Sequence, residues 1–139
     1  MLELYKTLHF LSLWVAGGIG VGGWVIQHMH AKAGARPTLD VVKSLRLLGL
    51  LALISVITLW VTGYLMANAI YGGLPSIGAF HVKLLGASAV LIGSAGTNLE
   101  TLRSIRRQAP PRAQIMNTLA WIVRGGLLVV LVATAIAFS

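Results

Sequence analysis

Four histidines, two lysines and one arginine hold most of the chemistry open to this chain. His9 stands in "LYKTLHFLSLWVAGG", three residues after Lys6, and His28 and His30 close the same apolar run. His81 opens another such run in "AFHVKLL" and is followed two residues later by Lys83. Neutral imidazole binds metal ions and haem iron, and histidine is the side chain that most readily exchanges a proton near neutral pH. Arg124 lies inside the last apolar run, remote in sequence from Glu3, Asp40 and Glu100, the three acids of the chain. Cysteine is absent, which excludes disulfides, thiolate zinc sites and thiol chemistry.

The elements that must position these groups are membrane spans. Of 139 residues, 57% are hydrophobic and 10% charged, and the mean hydropathy is +0.85, outside the range of ordinary soluble domains. A hydrocarbon core of ~30 Å takes ~20 apolar residues per helix. Four helices with short connections therefore use nearly the whole chain, and residues 1–139 are expected to form a single integral membrane domain, an all-α four-transmembrane-helix bundle. Hydropathy predicts helices over 5–29, 45–67, 79–98 and 114–138. The first run continues to about Gln27 without an Ala-x-Ala-like cleavage site, so it is expected to be a retained span.

Charge predicts the orientation. Eleven Lys/Arg against three Asp/Glu give a formal +8. The first connection holds Lys32, Arg36, Lys43 and Arg46, the third holds Arg103, Arg106, Arg107 and Arg112, and the second, "NAIYGGLPSIGAF", holds no lysine or arginine. By the positive-inside rule, connections one and three are cytoplasmic and both termini face outward, in a multi-pass protein of the cell's inner (plasma) membrane. The positive charge is then a topological signal in contact with the lipid bilayer, and no nucleic-acid partner is expected. Trp14 and Trp60 fall deep in their spans, where each indole N–H needs a partner or a polar cavity.

Spacing limits what the histidines can share. Nineteen residues of helix between His9 and His28 span ~28 Å, so one metal cannot take both, whereas His9 and His81 fall in the same leaflet. On a helical wheel Ala16 and Gly20 return to within ~20° of His9, with Gly17, Gly18, Gly22 and Gly23 beside them. An imidazole above a strip of small residues leaves a slot for a flat macrocycle, and haem is the expected occupant, with His9 and His81 as metal ligands. The same strip equally fits close helix packing, since small-xxx-small patterns are common wherever membrane helices approach. Arg124 sits ~15 Å into its helix, a place where a charge costs about 2.5–3.5 kcal/mol to insert. It is expected to face the bundle interior and meet a bound anion, a haem propionate or a tetrapyrrole carboxylate, unless it snorkels to the interface. Lys83 either snorkels as well or joins Lys6 and Arg124 in an electropositive outer half.

These stretches resemble the four-helix, haem-b type of bacterial membrane protoporphyrinogen oxidase (HemJ-like) and its neighbourhood, which includes the copper-resistance D membrane domain. Lys6, His9, His30, His81 and Lys83 carry the likeness. The resemblance implies haem b, with His9 as ligand and His81 involved. It further implies oxidation of a protoporphyrinogen-like tetrapyrrole, with His81 or Lys83 as catalytic proton acceptor or carboxylate anchor, Arg124 as counter-charge, and electrons passing to a membrane quinone. Two other functions stay open at this point. One is a small non-catalytic accessory subunit of a larger membrane complex or homo-oligomer, packing through "GGIGVGG". The other is a copper-binding or transport protein, for which Met1, Met29, Met66 and Met116 are thinly spread ligands.

Overall fold

A computed structural model describes residues 1–35, 38–76 and 78–137, leaving Arg36 of the first connection and the end of the fourth expected span outside the described residues. It contains four helices: α1 (Leu2–Ala33), α2 (Leu39–Tyr71), α3 (Gly78–Arg107) and α4 (Ala113–Ala137). All four are long and apolar enough to cross a membrane. The fold is therefore all-α with four candidate spans, as expected.

Each of the first three helices outruns the stretch that hydropathy marks. Apolar composition reports the part suited to hydrocarbon, but backbone hydrogen bonding carries the helix on through "HMHAKA", "LDVVKSLR" and "ETLRSIRR" until something stops it. Gly34 (φ 61°) and Gly72 (φ 69°) end α1 and α2 in the left-handed conformation that glycine adopts without strain. Gln108, at φ 51°, does the same after α3.

Consecutive helices pack as antiparallel neighbours, α1 on α2, α2 on α3 and α3 on α4, and among the described residues these are the helix pairs in contact. The interior is small and polar while the outside is apolar, the reverse of a soluble protein. Ser12, Ser55, Thr62, Ala67, Val90, Ser104 and Ala133 are buried, whereas Phe10, Leu13, Leu85, Ile92, Leu128 and Leu131 are exposed. That distribution follows from a lipid solvent, in which burying a leucine gains nothing and close backbone approach gains dispersion contacts.

The tightest interface lies between α3 and α4. A Cβ built on Gly86 would stand 2.9 Å from the carbonyl oxygen of Gly126, and one built on Gly126 would stand 2.8 Å from that of Gly86. The α2–α3 interface is instead tied by polar bonds. Trp60 Nε1 donates to Ser88 Oγ at 3.3 Å, and Asn98 Nδ2 donates to the Gly49 carbonyl at 3.2 Å. Trp60 thus has the partner its depth demanded, whereas Trp14 is 78% exposed on the outer face of α1.

The α3–α4 turn is fastened by a buried acid. Glu100 is 3% exposed, and its Oε1 accepts from Arg107 Nη2 at 2.8 Å and from the Arg112 backbone N–H at 3.4 Å. Ser104 Oγ donates to the Ala109 carbonyl at 2.5 Å. Replacing Glu100 by leucine would leave the Arg107 guanidinium and the Arg112 N–H without their acceptor. Glu100→Leu is expected to lower the thermal unfolding midpoint in detergent, with Glu100→Gln falling between it and the wild type.

Candidate functional site

At the end of the bundle where α1 begins and α4 ends, α1, α2, α3 and α4 surround a cavity of about 310 Å³. This end is opposite the one that carries Lys32, Lys43, Arg46, Arg103, Arg106, Arg107 and Arg112. Helical spacing brings its walls together. Trp60, Gly63, Tyr64, Ala67 and Tyr71 repeat along one face of α2, and Phe80, Lys83, Leu84 and Ala87 follow i, i+3, i+4, i+7 on α3. α1 contributes His9, and α4 contributes Thr134. The rings of Trp60 and Tyr64 lie nearly parallel, 8° apart in plane with centroids at 6.3 Å.

His9 is held by a hydrogen bond that decides its tautomer. Its Nδ1 lies 2.9 Å from Thr62 Oγ1. The single Thr62 hydroxyl proton is directed at backbone carbonyls of its own helix, Thr58 at 2.6 Å and Leu59 at 3.3 Å. Thr62 therefore accepts from His9, which places the proton of the neutral ring on Nδ1, and the Leu59 carbonyl of α2 also accepts from the ring. The ring also rests on α2 at Gly63, where a Cβ would sit 3.5 Å from His9 Cε1. An imidazole with one nitrogen donating to a fixed acceptor is the arrangement found in metal-ligating histidines.

The other polar groups of the cavity suit an anionic, flat ligand. Lys83 makes no hydrogen bond or ion pair among the described residues and supplies an ammonium to the lining. Met66 adds a thioether, itself a haem-ligand type. Among the described residues no three or more His, Cys, Asp or Glu side chains gather to hold a metal ion. A bare cation would lack ligands, but an iron already held by four porphyrin nitrogens needs only one or two from the protein.

Of the residues expected at this site, the structure brings together His9 and Lys83. His81 is exposed and outside the cavity lining. Two residues along a helix turn the side chain by ~200°, so with Lys83 facing the cavity His81 must face away; that spacing was available in the sequence. Gly20 is exposed, and Cβ atoms built on Gly17, Gly18, Gly20, Gly22 and Gly23 would meet nothing within 4 Å. The glycine run gives α1 an open face and does not form the slot. Residues of α1 turned toward α2 include Tyr5, His9, Ser12, Ala16, Ile19, Gly23 and Ile26, all less than fully exposed. That repeat averages 3.5 residues, so Gly20, eleven residues from His9, has rotated off the seam.

Arg124 corrects a further expectation. It is exposed on α4, outside the cavity, with its guanidinium 5.8 Å from the centroid of the Trp121 ring. At the opposite end, His28 stacks on Trp24 with centroids 5.3 Å apart, and His30 Nδ1 lies 2.9 Å from the Ile26 carbonyl oxygen. Thr62, Trp60, Tyr64 and Phe80 were not expected here. Nothing in the sequence set Thr62 apart from Ser55 and Thr58, the other serine and threonine hydroxyls of the span expected over 45–67. Comparison with known proteins finds no matching family model, no matching curated protein and no matching solved structure.

Proposed function

We propose that this membrane protein binds haem b through His9 Nε2 and takes part in electron exchange within the bilayer. The observation that carries the reading is the Thr62–His9 hydrogen bond, which anchors through Nδ1 a ring that lines an aromatic cavity. Thr62 fixes the tautomer and orientation of the ring. Lys83 provides the charge complement to a propionate or to a substrate carboxylate. Trp60, Tyr64, Phe80 and Tyr71 supply flat apolar surface and exclude water. Bound haem supplies a one-electron couple. A membrane quinone or a protoporphyrinogen-like tetrapyrrole is the electron partner this reading implies. On this reading the site lies in the outer half of an inner (plasma) membrane with the arginine-rich end cytoplasmic, an orientation that the positive-inside rule supports.

Haem titration of the detergent-purified protein tests the reading. The wild type is expected to take up about one haem per chain, and Thr62→Val to bind it roughly 10- to 100-fold more weakly, the usual effect of removing an outer partner from a metal-ligating histidine. Failure of the wild type to take up haem, or equal affinity in the two proteins, would contradict it.

A further inference from the structure

Among the described residues α3 is the helix that α4 packs against. Trp121, Arg124, Gly125, Leu128 and Val132 lie along one exposed stripe of α4. The stripe runs into a groove of about 480 Å³ between α3 and α4, to which Leu128 and Val132 both belong. Arg124 is eleven residues from Ala113, the first residue of α4, which places it ~17 Å along a helix of ~37 Å, close to the middle of the span. A guanidinium stays charged in every protein environment. Among the described residues it makes no hydrogen bond or ion pair, and its contact is the Trp121 ring face. An aromatic face offsets part of a cation's desolvation but accepts none of its five N–H bonds.

The missing group is therefore an anion at mid-membrane height, and the planar fork of arginine fits a carboxylate best. A second copy of this chain has none to give. Glu3 and Asp40 stand in the first turns of α1 and α2, at the ends of the bundle, and Glu100 is buried against Arg107. Gly125 beside Arg124 is open, since a Cβ there would meet nothing within 4 Å, so another backbone can come close. We propose that this face of α4 docks the transmembrane helix of a different membrane protein, one bearing a carboxylate near the middle of its span. The proposal stands independently of haem binding, because none of these stripe residues lines the cavity at His9.

The test uses the full-length chain, fluorescently labelled, in phosphatidylcholine vesicles. The probes are two synthetic transmembrane peptides of leucine and alanine, one with a single central glutamate and one with leucine in its place. Energy transfer is expected to show the glutamate peptide binding roughly tenfold more tightly than the leucine peptide. Arg124→Leu, which makes a lipid-facing position more apolar and so retains insertion, should abolish that preference, and Arg124→Lys should keep part of it. Equal binding of the two peptides by the wild type, or a preference that survives Arg124→Leu, would overturn the proposal. Loss of the preference when phosphatidylglycerol is added would assign Arg124 to lipid phosphate and overturn it too. So would a wild-type dimer that Arg124→Leu dissociates, since that would make the partner a second copy.

Discussion

His9→Ala is expected to abolish haem retention, with at least a hundredfold loss of affinity, while the four helices still insert and fold. The ring stands in a crevice between α1 and α2, its Nδ1 on Thr62 and its Cε1 over Gly63, and no other histidine lines the cavity. Truncation therefore removes the imidazole ligand without opening a gap in the tight α3–α4 seam. Added imidazole should restore part of the binding by occupying the space vacated. His81→Ala, His28→Ala and His30→Ala should keep the wild-type haem content, because these side chains lie outside the cavity. Haem per chain after purification, measured side by side for the four variants, checks the prediction. Loss in His81→Ala equal to that in His9→Ala would mean that the ligand has been misassigned.

The second large effect is on stability. Gly86→Ala and Gly126→Ala are each expected to destabilise the protein by about 1–3 kcal/mol, the range for overpacking a close-packed interface. The built Cβ atoms meet backbone, 2.9 Å from the Gly126 carbonyl oxygen in one case and 2.8 Å from the Gly86 carbonyl oxygen in the other. A side chain can rotate out of such a clash, but a helix must move as a whole. The two contacts are reciprocal, so the double variant should cost less than the sum of the singles, the first substitution having already parted the helices. Gly17→Ala and Gly20→Ala on α1 should be neutral or slightly stabilising, since nothing lies within 4 Å of either built Cβ and alanine is the better helix former. Thermal unfolding in detergent distinguishes these outcomes, and equal destabilisation by Gly20→Ala and Gly86→Ala would show that the open face of α1 is occupied.

The number and approximate position of the helices were legible in the sequence because length and hydropathy determine them almost alone. The facing of each helix was much less so. In a soluble protein the apolar stripe reveals the buried side, but here both lipid and interior accept leucine, and the contrast disappears. Glycine was an ambiguous guide for the same reason. Gly86, Gly93 and Gly126 mark a packed seam, while Gly17, Gly18 and Gly20 of the equally suggestive run on α1 face away from the rest of the chain. Arg124 was expected inside on the ground that charge avoids lipid, a rule that holds for the assembled protein and not for each chain taken alone. His9, His81 and Lys83 could be placed at one end of the bundle from sequence because all three lie near the same end of their helices. Thr62, which prepares His9, could be found only once α1 and α2 were packed together.

The most direct measurement is a reduced-minus-oxidised visible spectrum of the detergent-purified wild-type protein, with haem quantified as its pyridine complex. Haem bound by His9 predicts a sharp α-band and close to one haem b per chain. A protein that is colourless as purified, and remains so after haem is added, would contradict haem ligation by His9 and leave the cavity to a ligand without iron.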